Sequence, residues 1–351
     1  MTLPPTNRAF RLRRRPVGRV TEDDLELVTE PLAEPADGEA LVRTLYVSLD
    51  PSNRIWMSDM PSYIAPVPLG SVMRGIGVGQ VVASRRDDFP VGAFVLGGTG
   101  FQEHALIDDA NDLGRFTVLP DPLPAPLPLF LGALGHTGIT AYLGVHDIGR
   151  VAPGETVVVS AAAGAVGSIA GQIAKDRGAR VVGIAGGPAK CAHVVDELGF
   201  DACVDHRADD FAARLAAAVP DGVDVDFENV GGPVMDAVLL HLNHGARVVL
   251  SGMISQYEAA DGGDGWAGQR SIGQLIMRRA SMRGFIVLDH ADRFGEAIDY
   301  LGGLLGGGRL RSHETIVDGL DHAIDAMNRL FDGTSTGKLL LRVADPDAPA
   351  A

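Results

Sequence analysis

The chain has 351 residues, 46% hydrophobic and 21% charged, with a formal net charge of −15 and two cysteines. That composition describes a folded globular protein, and the length suits one large domain or two ordinary ones. The negative balance disfavours nucleic acid and anionic membrane as partners. No apolar run reaches the roughly 18 residues of a bilayer span, and Cys191 and Cys203 alone cannot build a four-thiolate zinc site or a disulfide framework.

The opening "MTLPPTNRAFRLRRRPVGRV" has basic residues without an apolar core after them. It is expected to be a polar lead into a first strand, not a secretory signal. Short apolar runs at 39–49, 75–84, 92–97 and 103–107 read as strands of an antiparallel barrel or sandwich. "PDPLPAPLP" (120–128) is a proline-rich connector. Beyond it the rhythm changes. Six β-branched runs, at 155–161, 179–185, 201–206, 222–230, 245–252 and 282–289, alternate with helical patterns and predict a doubly wound parallel sheet. A Gly-rich loop is expected at 257–270, a helix near 321–332 and a last strand, "GKLLLRV", at 337–343. The expected division is 1–128, 129–297 and a tail, 298–351, that returns to the first domain.

The most informative stretch is "AAAGAVGSIAGQIAK" (161–175), where a predicted strand hands over to a predicted helix. In a dinucleotide turn, bare backbone N–H groups meet the pyrophosphate and a further glycine lets helix and strand pack closely. Ala162, Gly164 and Gly167 stand at the G-x-G-x-x-G positions, and with Ala165 and Val166 they are the expected pyrophosphate-facing residues. The second strand runs into Gly186 and Gly187, with no carboxylate to bond an adenosine ribose and repel a 2′-phosphate. Lys190 supplies a countercharge, and His206 and Arg207 lie after the third strand. The cofactor expected is therefore NADP(H), held by Gly187, Lys190 and His206, although a helix lysine is also often just solvated.

Eight stretches carry a resemblance, in order: "SLDPSNRIWM" (48–57), "GHTGITAYLGV" (135–145), "VVVSAAAGAVGSIAGQIAK" (157–175), "VVGIAGGPAKC" (181–191), "FENVGG" (227–232), "GMISQY" (252–257), "RGFIVLD" (283–289) and "GKLLLRV" (337–343). With them the chain resembles the medium-chain dehydrogenase/reductase superfamily, and within it the zinc-independent branch of prostaglandin reductases, plant double-bond reductases and curcumin reductases. The resemblance implies a GroES-like antiparallel β-barrel beside a Rossmann domain. It also implies NADPH and reduction of the C=C bond of α,β-unsaturated carbonyls. The chain departs from the family pattern at Ser52, His136-Thr137, His206, His290 and Ser335, which bears on substrate and not on cofactor.

Reducing an enone builds charge on the carbonyl oxygen, so the protein must present donors there. Tyr257, just beyond the strand "GARVVLSG", is the leading donor, and the resemblance also puts a functional tyrosine here. Asn229, in "ENVGG", either meets the cofactor or caps the next helix. Ser335 and Lys338 are expected to reach the cofactor from the tail. No metal is expected: the first 128 residues hold no cysteine, and His104 in "QEH" reads as a surface strand residue. No G-x-S-x-G elbow supports a hydrolase. The expected partners are a small-molecule enone and a second copy of the chain, in the cytoplasm. The alternatives are an NADPH-dependent quinone oxidoreductase and a non-catalytic NADPH-binding redox sensor.

Overall fold

The structure, a computed structural model, describes residues 3–60, 62–107, 116–258 and 269–346. Most of the expected Gly-rich loop, 259–268, lies outside the described residues. The chain forms two compact units, the first comprising 1–131, 314–334 and 339–351, the second 132–313 with 335–338. No helix is long and apolar enough to cross a membrane.

The first unit opens with a hairpin of β1 (Thr6–Leu12) and β2 (Leu25–Pro31) that the patterning did not reveal. Then come β3 (Ala40–Ser48), the short helix α1 (Ser52–Trp56), β4 (Gly77–Ser84), β5 (Phe94–Gly97), β6 (His104–Ile107) and β7 (Thr117–Val118). The antiparallel pairs β3–β4 and β4–β5 form the heart of this sheet. His104 is buried on β6 rather than at the surface. Its backbone exchanges hydrogen bonds with the Asn7 side chain, and burial pushes its imidazole pKa down.

The second unit runs α2 (His136–Leu143), β8 (Thr156–Ser160), α3 (Ala165–Asp176), β9 (Arg180–Ala185), α4 (Pro188–Ala192), β10 (Ala202–Asp205), α5 (Phe211–Ala218), β11 (Val223–Glu228), α6 (Gly232–Leu239), β12 (Leu242–Leu250), α7 (Gln274–Arg278), β13 (Ser281–Gly284) and α8 (Phe294–Gly306). Its six strands are parallel, in the order β10-β9-β8-β11-β12-β13. β8 is buried at every residue, as a central parallel strand covered on both faces requires. The strand expected over 282–289 is shorter. It ends at Gly284, the last residue opposite β12, and a 3-10 turn follows at Val287–Arg293.

The chain crosses back at Glu314, not at 298. Residues 298–313 stay in the second unit because Gln172 on α3 holds the Arg311 backbone at both its N–H (2.8 Å) and its carbonyl (3.0 Å). β14 (Glu314–Asp318), α9 (Ala323–Phe331) and β15 (Lys338–Arg342) complete the molecule, and β14 and β15 extend the first sheet to the order β14-β15-β3-β4-β5-β7, with β6 on β3. Leu339 and Leu341 of β15 and Met327 of α9 join Phe10, Trp56 and Phe101 in the core of the first unit.

Glycines decide how α3 lies on the sheet. A Cβ on Gly171 would sit 1.8 Å from the Phe200 ring. Alanine gains about 1 kcal/mol of helix propensity, but overpacking of this kind costs typically about 1–3 kcal/mol and occasionally more. Gly171→Ala is therefore expected to lower the denaturant midpoint, and adding Phe200→Leu to recover part of the loss. A midpoint that rises in Gly171→Ala would overturn this account.

Candidate active site

In a sheet of this strand order, ligands bind beyond the carboxyl ends of the strands where the order reverses, between β8 and β11. The chain leaves β8 through Ala161, a left-handed non-glycine residue at φ +49°. Ala162 is buried, and its N–H bonds the Ile184 carbonyl of β9 at 3.0 Å. Its methyl lies where a Cβ on Gly183 would come within 2.8 Å, so Ala162 packs the turn onto the sheet. Gly167 is also a packing residue: a Cβ there would meet the Ala161 carbonyl at 2.4 Å.

Gly164 differs. It is the extended N-cap of α3, and a Cβ would meet only Ala161, no closer than 3.1 Å. Gly164, Ala165 and Val166 are half-buried at the start of a 12-residue helix. The first N–H groups of such a helix have no partner within it, and with the helix dipole they form a seat for an anion. The tail lines this seat. The Gly337 N–H donates to the Ala163 carbonyl at 2.7 Å, and Gly337 bridges Gly164 in parallel. Only glycine fits there, at φ +66° with His313 O 1.9 Å from a Cβ.

A group of cations gathers at the end of β9. Gly187 is left-handed at φ +92°, and its N–H donates to Asp205 Oδ1 at 2.8 Å. His206 Nε2 and Arg207 Nε both lie 3.0 Å from a Cβ built on Gly186. Lys190 is half-buried, not solvated, and its Nζ donates to the Ser335 carbonyl. Burial, then the Arg207 charge, pushes the Lys190 pKa down, and the same two causes in the same order lower that of His206. Asp205 is the carboxylate beside them, its Oδ1 accepting the Gly187 and Arg207 N–H groups. Beside them Cys191 and Cys203 are free thiols with sulfurs 3.1 Å apart, and burial raises both pKa values.

The ends of β11 and β12 meet at a second turn. Asn229 does not cap α6, whose N-cap is Gly231; its Nδ2 donates to the Ser160 carbonyl at 2.8 Å. Asn229 O and Val230 O accept the Ile254 and Ser255 N–H groups. Tyr257 follows a 3-10 turn, Ile254–Gln256, that folds it back. Its hydroxyl oxygen accepts the Met253 N–H at 2.9 Å, which leaves the phenolic proton to be donated. Burial raises the Tyr257 pKa, so the phenol is neutral near pH 7.

The fold thus brings Gly164, Ala165 and Val166 together with the tail, and Gly187, Lys190 and His206 together with Ser335. Lys338 is buried at the start of β15, its N–H on the His313 carbonyl at 2.8 Å, so it is not the solvated strand-start lysine its position suggests. Sequence reasoning missed Ala163, His313, Gly337 and Glu228. Only the Gly-Lys pair at 337–338 hinted at the tail's part, and nothing local marked Glu228. Among the described residues no three His, Cys, Asp or Glu side chains gather as a metal site. The donor set fits a dinucleotide with a 2′-phosphate: backbone N–H groups for the pyrophosphate, a lysine, an arginine and a histidine for the monoester.

A family model described as the N-terminal domain of oxidoreductase matches residues 8–114, and one described as zinc-binding dehydrogenase matches 165–302. The NADPH-dependent curcumin reductase of Escherichia coli is 42% identical over 347 residues, 97% of this chain and 98% of that protein. The NADP(+)-dependent 2-alkenal reductase of Nicotiana tabacum is 34% identical over 344 residues, 97% of this chain and 98% of that protein. Among solved structures, CurA from Vibrio vulnificus in complex with NADPH superposes with a TM-score of 0.90 at 43% identity, covering 97% of this chain and 100% of that one. A parallel sheet of six strands, a glycine turn at its reversal point and near-complete likeness to these enzymes lead to one conclusion: the chain belongs to the medium-chain dehydrogenase/reductase superfamily, in the branch of the curcumin and 2-alkenal reductases.

Proposed function

We propose that this protein is an NADPH-dependent, metal-independent reductase of the C=C bond of α,β-unsaturated ketones and aldehydes. The observation that carries the reading is the Tyr257 hydroxyl, held as an acceptor by the Met253 N–H so that its own proton is free to give, at the carboxyl edge of the parallel sheet. Its relatives bear the names curcumin reductase and 2-alkenal reductase.

NADPH supplies the hydride when bound. The chain's own groups bind and orient. The N–H groups at the first turn of α3, from Ala165 to Gly167, receive the pyrophosphate, with Gly164 leaving room for it and Ala162 fixing the turn beneath. Lys190, His206 and Arg207 receive the 2′-phosphate over the turn that Gly187 makes, and Ser335 and Lys338 hold the tail in register with them. Asn229 fixes the loop toward the nicotinamide. Tyr257 donates to the carbonyl oxygen as charge builds there, and the α-carbon takes its proton from solvent. An alcohol would instead need a base or a Lewis acid to take its proton. Among the described residues the hydrogen-bond partner of the Tyr257 hydroxyl is the Met253 N–H, which is neither, whereas an enolate oxygen requires only a donor.

We also infer a homodimer. β13 ends the sheet with no strand on its far side among the described residues. Ile276 and Met277, on the helix before it, are 76% and 65% exposed. The two free thiols suit a reducing cytoplasm, which fractionation of source cells would test. Light scattering should return about twice the 36.8 kDa chain mass, and a monomer at micromolar concentration would exclude the dimer.

Lys190→Ala should lower kcat/KM for NADPH by about ten- to a hundredfold, the scale of a bond between charged groups, and leave the low NADH rate nearly unchanged. Equal use of NADH by the wild type would refute the assignment of the cation group. For the reaction, NADPH carrying deuterium at its transferable position should label the β-carbon of a simple enone, in chelator-treated protein as in untreated protein. Label at the carbonyl carbon would make the protein a carbonyl reductase, and turnover confined to quinones would move it to that class. Tyr257→Phe should cut kcat by roughly a hundredfold with NADPH affinity held, because the lost bond forms mainly in the transition state.

A further inference from the structure

We propose that Glu228 is a positioning residue for the nicotinamide half of the cofactor: its buried carboxylate gathers the N–H groups of the 229–231 loop to itself and so sets the surface on which ring and ribose rest. This rests on the reading of the site as an NADPH site.

Glu228 is the last residue of β11 and is fully buried. One oxygen, Oε1, accepts from three donors: the Ser160 hydroxyl at 2.8 Å, the Gly231 N–H at 2.8 Å and the Val230 N–H. The Ser160 hydroxyl oxygen in turn accepts the Asn229 N–H at 2.7 Å. Three consecutive amides thus point at one carboxylate, two directly and one through a serine. Successive N–H groups of this kind form an anion-binding nest. Gly231 and Gly232 take the left-handed conformations such a turn demands, at φ +75° and +58°.

This second glycine turn therefore looks like a phosphate loop but is closed to phosphate, because the chain fills it with its own carboxylate. The loop's carbonyls also anchor it, Asn229 O on the Ile254 N–H and Val230 O on the Ser255 N–H and hydroxyl. What it offers a ligand is a face whose N–H groups are already bonded, suited to a ring and ribose rather than to an anion.

The donors converge on Glu228 and not on its neighbour. Asp226 lies two residues back on the same face of β11, fully buried, with neither oxygen bonded among the described residues. Burial and the nearby Glu228 raise its pKa well above the carboxylate range. Burial also raises that of Glu228, but the backbone N–H groups and the Ser160 hydroxyl pull it back.

The test separates the two halves of the cofactor by equilibrium binding. NADPH and adenosine 2′,5′-bisphosphate, which lacks the nicotinamide half, are titrated against wild type, Glu228→Gln, Ser160→Ala and Asp226→Asn. Glu228→Gln should weaken NADPH about tenfold or more, since bonds to a charged acceptor become bonds to a neutral one. It should leave the bisphosphate within about twofold, since that ligand's partners are not among the donors to Glu228. Ser160→Ala should weaken NADPH by a smaller factor with the same selectivity, and it decides the matter if Glu228→Gln does not fold. Asp226→Asn should change neither ligand. Equal weakening of both ligands, or no weakening of NADPH, would overturn the role of Glu228. A wild type that binds neither ligand would instead overturn the NADPH site itself.

Discussion

The nucleotide unit depends on how closely the start of α3 approaches the strand it leaves. At Gly167 the helix comes so near the Ala161 carbonyl that a Cβ would lie 2.4 Å from the oxygen, and at Gly171 the Phe200 ring occupies the same kind of space. Because both glycines are spent on packing, the helix N-terminus is drawn to the strand ends. There its unpartnered N–H groups converge just outside the sheet. A looser helix would move those donors away from the tail residue Gly337, whose N–H on Ala163 closes the other side of the seat.

Electrostatics then has to overcome the protein's own charge. With a net −15, the surface as a whole repels a polyanionic cofactor. The site answers locally, with a helix dipole at one point and Lys190, His206 and Arg207 around Gly186 and Gly187 at another. The half-burial that lowers the Lys190 pKa also thins the water around it, which strengthens its attraction for a phosphate while it stays charged. The second glycine turn works the opposite way. Its N–H groups are already bonded by Glu228, so the two glycine-containing turns present opposite chemistry.

The family likeness extends over both units and nearly the full chain. It accounts for the NADP(H) cofactor and for the two-unit fold. It does not account for the chain's own choices around them. His206 against Gly186 is one such choice, and Ser335 accepting from Lys190 through its carbonyl is another. In the second case the backbone makes the contact, so the side chain there is free to vary.

Periodicity and glycine spacing were enough to read the six-stranded parallel sheet, the turn after β8 and the cations after β9. These signals are local: β-branched runs buried on both faces, a glycine where a helix opens, a lysine one turn into the next helix. Three things were not local. The burial of His104 depends on Asn7, from a strand far back along the chain, holding its backbone. The return of Ser335 to Lys338 to the nucleotide unit depends on backbone bonds to Ala163 and His313. The role of Glu228 depends on Ser160, on another strand, standing beside it. In each case the deciding partner is remote in sequence, and a glutamate at the end of an apolar strand looks the same whether its carboxylate faces water or two inward N–H groups and a hydroxyl. Residue type and spacing determined that a dinucleotide turn exists; only the packed tertiary structure decided which donors are left for the ligand, because a donor already bonded within the protein has none to give.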